Sequence, residues 1–158
     1  MAIVETQEEF VPVTEDFRQP DNDFDIIKGL ELVQNEVRDF PIDPTLNGVL
    51  TIGQWGVLTD SGTLVEPGST GVGNTYPVWS GSEQFDSLAT GNATVIMGGN
   101  YQVRTSHYDT TQTYHAGSNL TVKNGFYPTL AGGSDAILAR VVAIPDASGV
   151  ITILVLNR

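Results

Sequence analysis

From residue 46 onward, apolar residues come in short runs separated by turn residues. Tyr101-Gln102-Val103-Arg104-Thr105 alternates apolar and polar positions, the period of a strand with one buried face. Ala136-Ile137-Leu138-Ala139-Arg140-Val141-Val142-Ala143-Ile144 and Val150-Ile151-Thr152-Ile153-Leu154-Val155-Leu156 have buried-strand compositions. The turn residues Pro145-Asp146-Ala147-Ser148-Gly149 between them predict a C-terminal hairpin. A second hairpin is predicted where Asp60-Ser61-Gly62 separates Gln54-Trp55-Gly56-Val57-Leu58-Thr59 from Thr63-Leu64-Val65. Val49-Leu50-Thr51-Ile52, Tyr76-Pro77-Val78-Trp79 and Ala93-Thr94-Val95-Ile96-Met97 are further strand candidates. Leu120-Thr121-Val122-Lys123 runs into Asn124-Gly125, a type I′ turn signal, and Phe126-Tyr127-Pro128-Thr129-Leu130 follows. About eight short strands in roughly 110 residues, without βαβ alternation, predict an all-β fold. The expected architecture is a small β-barrel or sandwich of short antiparallel strands.

The first 45 residues follow another pattern. They hold twelve of the 19 acids and three of the seven bases, a local balance of −9 against −3 for the remainder. Pro12, Pro20, Pro41 and Pro44 interrupt them, and Asp21-Asn22-Asp23-Phe24-Asp25 reads as solvated chain. Ile26, Ile27, Leu30, Val33 and Val37 have spacings of 3 and 4 that fit one helical face, although Gly29 weakens a helix and a strand over 25–33 stays open. A segment this polar cannot build a core of its own. The chain is therefore expected to divide into an acidic, extended N-terminal arm (1–45) and a β-barrel domain (46–158). Phe10, Phe17, Phe24, Ile26 and Ile27 are apolar residues on a polar chain and need a burial partner, so they are expected to contact other subunits. Trp55 and Trp79 suit either the core or a subunit contact.

Composition narrows the function classes. The 158 residues carry a net charge of −12, which repels phosphate backbones and anionic bilayers, so neither nucleic acid nor membrane is an expected partner. Cysteine is absent, removing disulfides, thiolate nucleophiles and Cys-based zinc sites. No apolar run approaches the ~20 residues of a bilayer span. The opening Met1-Ala2-Ile3-Val4-Glu5 lacks the pattern of an export signal. Charged residues make up 16% of the chain, below the ~25% of a typical domain, so Thr, Ser, Asn and Gly must dress much of the surface.

Candidate chemistry is sparse. Ser106-His107-Tyr108-Asp109, with His115 a few residues on, is the only local cluster of catalytic residue types. His107 and Asp109 would share one strand face, and with His115 they would offer two imidazoles and a carboxylate to a divalent metal. Their spacing matches no ligand motif, and the plainer reading is a polar strand and loop with solvated or hydrogen-bonded histidines. A Ser-His-Asp triad is weaker, because adjacent strand residues face opposite sides and no Gly-x-Ser-x-Gly elbow is present. Glu66, Glu83 and Asp86 lie near Trp79 and Phe85 in sequence, and could line a sugar cleft or merely solubilise loops. Gly71-x-Gly73 lacks the context of a phosphate cradle and reads as a flexible loop. Asp21, Asp23 and Asp25 alternate as in a calcium loop, without the glycine and glutamate such a loop requires. No catalytic residue, cofactor or metal is expected.

The order of these segments carries a resemblance. Leu50-Thr51-Ile52-Gly53-Gln54-Trp55-Gly56-Val57-Leu58-Thr59-Asp60-Ser61-Gly62 opens the series, and a loop and a strand around Val95 follow. Tyr114-His115-Ala116-Gly117-Ser118-Asn119-Leu120-Thr121-Val122 approaches a Tyr-x-Pro-Gly-Asp-x-Leu-Thr-Val pattern, with Ala116 in place of Pro and the polar position shifted to Asn119. Ala136-Ile137-Leu138-Ala139-Arg140-Val141-Val142, the turn at 146–149 and an apolar last strand close it. Residues 46–158 thereby resemble the capsid decoration (cement) proteins of tailed bacteriophages and related small head and tail-surface proteins.

That resemblance implies a compact β-barrel on the outside of the assembled shell, commonly a homotrimer, bridging neighbouring copies of the major capsid protein. The work implied is structural and not enzymatic, in a virion assembled in the host cytoplasm. Repeated weak contacts would gain strength by avidity. Two other classes stay open: a tail-tube, spike or head-fibre protein, and a carbohydrate-binding β-module that would depend on His107 or Trp79.

Overall fold

The computed structural model describes residues 23–28, 37–46, 50–79 and 91–156. These carry eleven strands: β1 (Asp25–Lys28), β2 (Val37–Pro41), β3 (Trp55–Leu58), β4 (Leu64–Val65), β5 (Thr75–Pro77), β6 (Asn92–Ile96), β7 (Asn100–Thr105), β8 (Asn119–Val122), β9 (Pro128–Leu130), β10 (Ala139–Ala143) and β11 (Ile151–Leu156). A single 3-10 turn, Pro44–Leu46, is the only helical element among the described residues. The fold is all-β, and every strand ladder is antiparallel.

The largest sheet has six strands in the order β1-β7-β11-β10-β8-β9. Its interior follows from residue alternation: Tyr101, Val103 and Thr105 of β7, and Ile151, Ile153 and Val155 of β11, are all buried. Register aligns these residues into rows across the sheet. Ile26, Val103, Ile153 and Val141 form one, and Tyr101, Val155, Ala139 and Leu120 another. Each fully buried Val or Ile of this kind contributes about 1.5–3 kcal/mol relative to exposure. Phe24, Trp55, Ile96 and Tyr114 complete this first core.

A second core lies among the smaller sheets, β2-β6 and β4-β3-β5. Ile42, Leu50, Leu64, Val78, Ala93 and Val95 fill it. The isolated bridges Ile42–Leu64 and Val78–Val95 link the two small sheets around it.

Both predicted hairpins form. Val57 pairs with Val65 and Leu58 with Leu64 across the turn at Gly62, whose φ of 85° suits glycine. The C-terminal hairpin pairs β10 with β11 but carries a bulge between Val141 and Ala143. The extra residue there, Val142, turns outward. Two local expectations change. Residues 50–54 form a turn instead of a strand, because Gly53 takes a φ of 94° and Gln54 N–H donates to the Thr51 carbonyl at 3.1 Å. The β8–β9 connection is not a two-residue type I′ turn. Val122 pairs with Pro128, leaving a five-residue loop in which Asn124 adopts the left-handed φ of 58°.

The described parts of residues 1–45 pair with strands of the remaining chain. β1 pairs with β7, and β2 pairs with β6 over five residues from Val37–Ile96 to Pro41–Asn92. Phe24 is 3% exposed and meets Tyr101 edge-on, ring centroids 6.4 Å apart. Ile26 packs on the same core and Ile42 is buried in the second. A period-two alternation of apolar and acidic residues sends Phe24 and Ile26 inward, and it overrides the helical spacing at Ile26 and Ile27. Phe24 and Ile26 therefore find their burial partner within their own chain. Phe10 and Phe17 lie outside the described residues.

Candidate functional site

The segment from Lys123 to Gly132 borders a cleft with a volume of about 570 Å³. Asp109, Gln112, Lys123, Asn124, Tyr127 and Thr129 line it. Three anchors fix its walls.

The first is Asp135, whose side chain is 3% exposed. Its carboxylate accepts from Lys123 Nζ at 2.5 Å, from Gly132 N–H at 2.7 Å and from Gly71 N–H at 2.9 Å. The Lys123 hydrogen bond, helped by the two backbone donors, lowers its pKa to about 2. Asp135 thereby ties the loop containing Gly71 to the end of the β9 region. The connection is close: a Cβ on Gly71 would fall on the Thr121 hydroxyl. Asn124 N–H donates to the Gly68 carbonyl at 2.7 Å, a second tie between the same loops.

The second anchor is Asp109. It accepts from the Thr111 hydroxyl at 2.6 Å, the Thr111 N–H at 3.0 Å and the Thr129 hydroxyl at 2.8 Å. The Thr111 hydroxyl is the main cause of its lowered pKa. Tyr114 donates its phenol to the Asp109 carbonyl at 2.6 Å. Burial, seconded by the Asp109 charge, pushes the Tyr114 phenol up to about 12. It stays a neutral donor at ordinary pH.

The third is the His107–Tyr127 stack. The two rings lie 5.3 Å apart at 12°. His107 Nε2 is 2.7 Å from Asp23 Oδ1, and the His107 backbone N–H donates to the Thr105 hydroxyl at 3.0 Å. Thr105 in turn donates to the Asp23 carbonyl. A residue of the acidic N-terminal segment thus braces an aromatic ring that lines the cleft.

No protein-family model and no curated protein matches the chain.

The residues singled out by sequence are dispersed. His107 faces Asp23 and Tyr127, Asp109 serves its threonines, and His115 is exposed on the turn before β8. Among the described residues, no three His, Asp or Glu side chains converge as a metal site. Glu66 is exposed, while Asp21, Glu83 and Asp86 lie outside the described residues. Gly71 is a tightly packed tie instead of a flexible loop tip.

Trp55 is fully buried, and its backbone N–H donates to the Phe126 carbonyl at 2.9 Å, so it supports the loop. Trp79 is half-buried against the first core. Ile27 is 47% exposed, the outward member of β1. Asp135 and Tyr127 escaped sequence reading. Asp135 is separated from Gly71 by 64 positions, and only the Asn124-Gly125 turn signal pointed to this loop.

Proposed function

We propose that this is a structural virion protein that decorates the outside of a tailed-phage capsid and bridges major capsid subunits, without catalysis. It would be made in the host cytoplasm and act as a homotrimer. The observation that carries this reading is the set of apolar side chains left outward where, among the described residues, the large sheet has no further strand on its edge. Ile27 stands on β1, the last strand of the sheet order on that side. Val142 (41% exposed) and Ile144 (56% exposed) lie beyond Val141, where bonding to Gly117 and Ser118 stops. An open edge flanked by apolar residues favours pairing with another chain, and such pairing is one mode by which extended segments are captured. The net charge of −12 keeps free copies apart and soluble, and shell symmetry would multiply modest contacts. The resemblance of residues 46–158 to decoration proteins supplies the shell as partner.

Cryo-electron microscopy of the particle carrying this chain is the test. Density for the β-domain on the outer shell, at positions of three-fold or quasi-three-fold symmetry, is the expected result. A doubly substituted Val142→Asp, Ile144→Asp protein should keep its fold and lose shell occupancy. Assembly of the pure protein into tubes without capsid would replace this reading with the tail-tube alternative.

A further inference from the structure

From the geometry of the β8–β9 cleft, we infer a binding site for a neutral saccharide, with Tyr127 as its stacking platform. Its lining selects among ligand classes. Among the described lining residues the one cation, Lys123, is already held by Asp135 at 2.5 Å, which leaves an anion little to pair with. Among the same residues a metal cation meets a single carboxylate, Asp109, whose oxygens already accept from Thr111 and Thr129. A wholly apolar ligand would strip water from Gln112, Asn124 and Asp109 without replacing their hydrogen bonds. A sugar ring satisfies both kinds of surface, since its hydroxyls pair with amides and carboxylates while its C–H face packs on an aromatic ring.

The aromatic ring is prepared for that role. His107 covers one face of Tyr127, and the Asp23–His107 contact fixes the stack. Tyr127 is itself one of the residues that line the cleft. Tyr127 is 36% exposed, which is high for an aromatic residue next to a buried core. Asn124 sits beside it with a left-handed backbone, putting its amide on the exposed crest of the loop. The Asp135 ties hold the loop before any ligand arrives, which reduces the ordering cost of binding. The lining residues of this cleft lie outside β1 and β10, the strands that carry the proposed shell contacts.

Amide NMR titration of the full chain with chitotriose, maltotriose and cellotriose tests the assignment, with inorganic phosphate as the anionic control. At least one neutral trisaccharide should give saturable shifts confined to residues 109–112 and 123–132, while phosphate gives none there. Tyr127→Ala should weaken that binding by about tenfold, the size of one aromatic contact. Tyr127→Phe, which keeps the stack on His107, should retain it. Absence of saturable shifts with all three sugars would overturn the inference, as would preferential response to phosphate. Equal binding by Tyr127→Ala would remove the platform role.

Discussion

The six-stranded sheet draws its interior from strand positions that alternate in and out, whereas the smaller core around Leu64 and Val95 collects residues from turns, bridges and short strands. In the first, Val103 and Ile153 face each other across a ladder of six paired residues. In the second, Ile42 and Leu50 flank the 3-10 turn and are buried without belonging to a long strand. The acidic segment contributes to both, through Phe24 and Ile26 on one side and Phe40 and Ile42 on the other. Net charge therefore predicts poorly whether a segment is docked. What matters is whether a few apolar residues fall on the face that meets a sheet.

The largest expected effect tests that seam directly. Phe24→Ala should cost about 3–5 kcal/mol, by loss of a buried aromatic ring and its contact with Tyr101. Urea unfolding measures it, and a cost below about 0.5 kcal/mol, the range of surface substitutions, would show that the segment contributes no core. Gly53→Ala comes next, at about 1–3 kcal/mol. Its Cβ would lie 2.5 Å from the His107 ring and 2.6 Å from the Asp23 carbonyl, on a backbone with φ of 94°. Thermal unfolding should show the loss, and the Asp23 and His107 resonances should move together.

A smaller effect is expected from acid. Asp135 has its pKa lowered from 3.8 to about 2 in the folded protein. Its contribution is thus fully present above the unfolded value and disappears as pH falls through about 2. Between those pH values wild type should lose stability more steeply than Asp135→Asn, in urea midpoints measured at successive pH. The smallest change should follow Arg104→Ala. The Arg104–Asp146 pair, 3.2 Å long, has both side chains well exposed, so unfolding midpoints should not move measurably.

The strands whose apolar residues alternate are legible in the sequence, because β7 and β11 carry their buried face in the order of their residues. The turns at Gly62 and 145–149 are equally plain. β1 and β2 are not, since aspartates at 21, 23 and 25 mask the inward Phe24 and Ile26. The alternation Asp23-Phe24-Asp25-Ile26, set against Ile26, Leu30 and Val33 at helical spacing, is the local signal of that strand. The cleft is hidden for a different reason. Its geometry depends on Asp135 reaching Gly71 and on Asp23 reaching His107, which are 64 and 84 positions apart. No local pattern reports such pairings.

β11 is the last strand described, yet it sits between β7 and β10 near the middle of the large sheet. Until Ile151–Leu156 leaves the ribosome, β7 and β10 have no intervening strand, and each lacks its partner along that edge. The main sheet can therefore close only once residue 156 has been made. Non-local closure of this kind is slow, on the order of milliseconds to seconds for all-β domains. A stalled product ending near residue 145 would be a sticky fragment and not a smaller version of the domain.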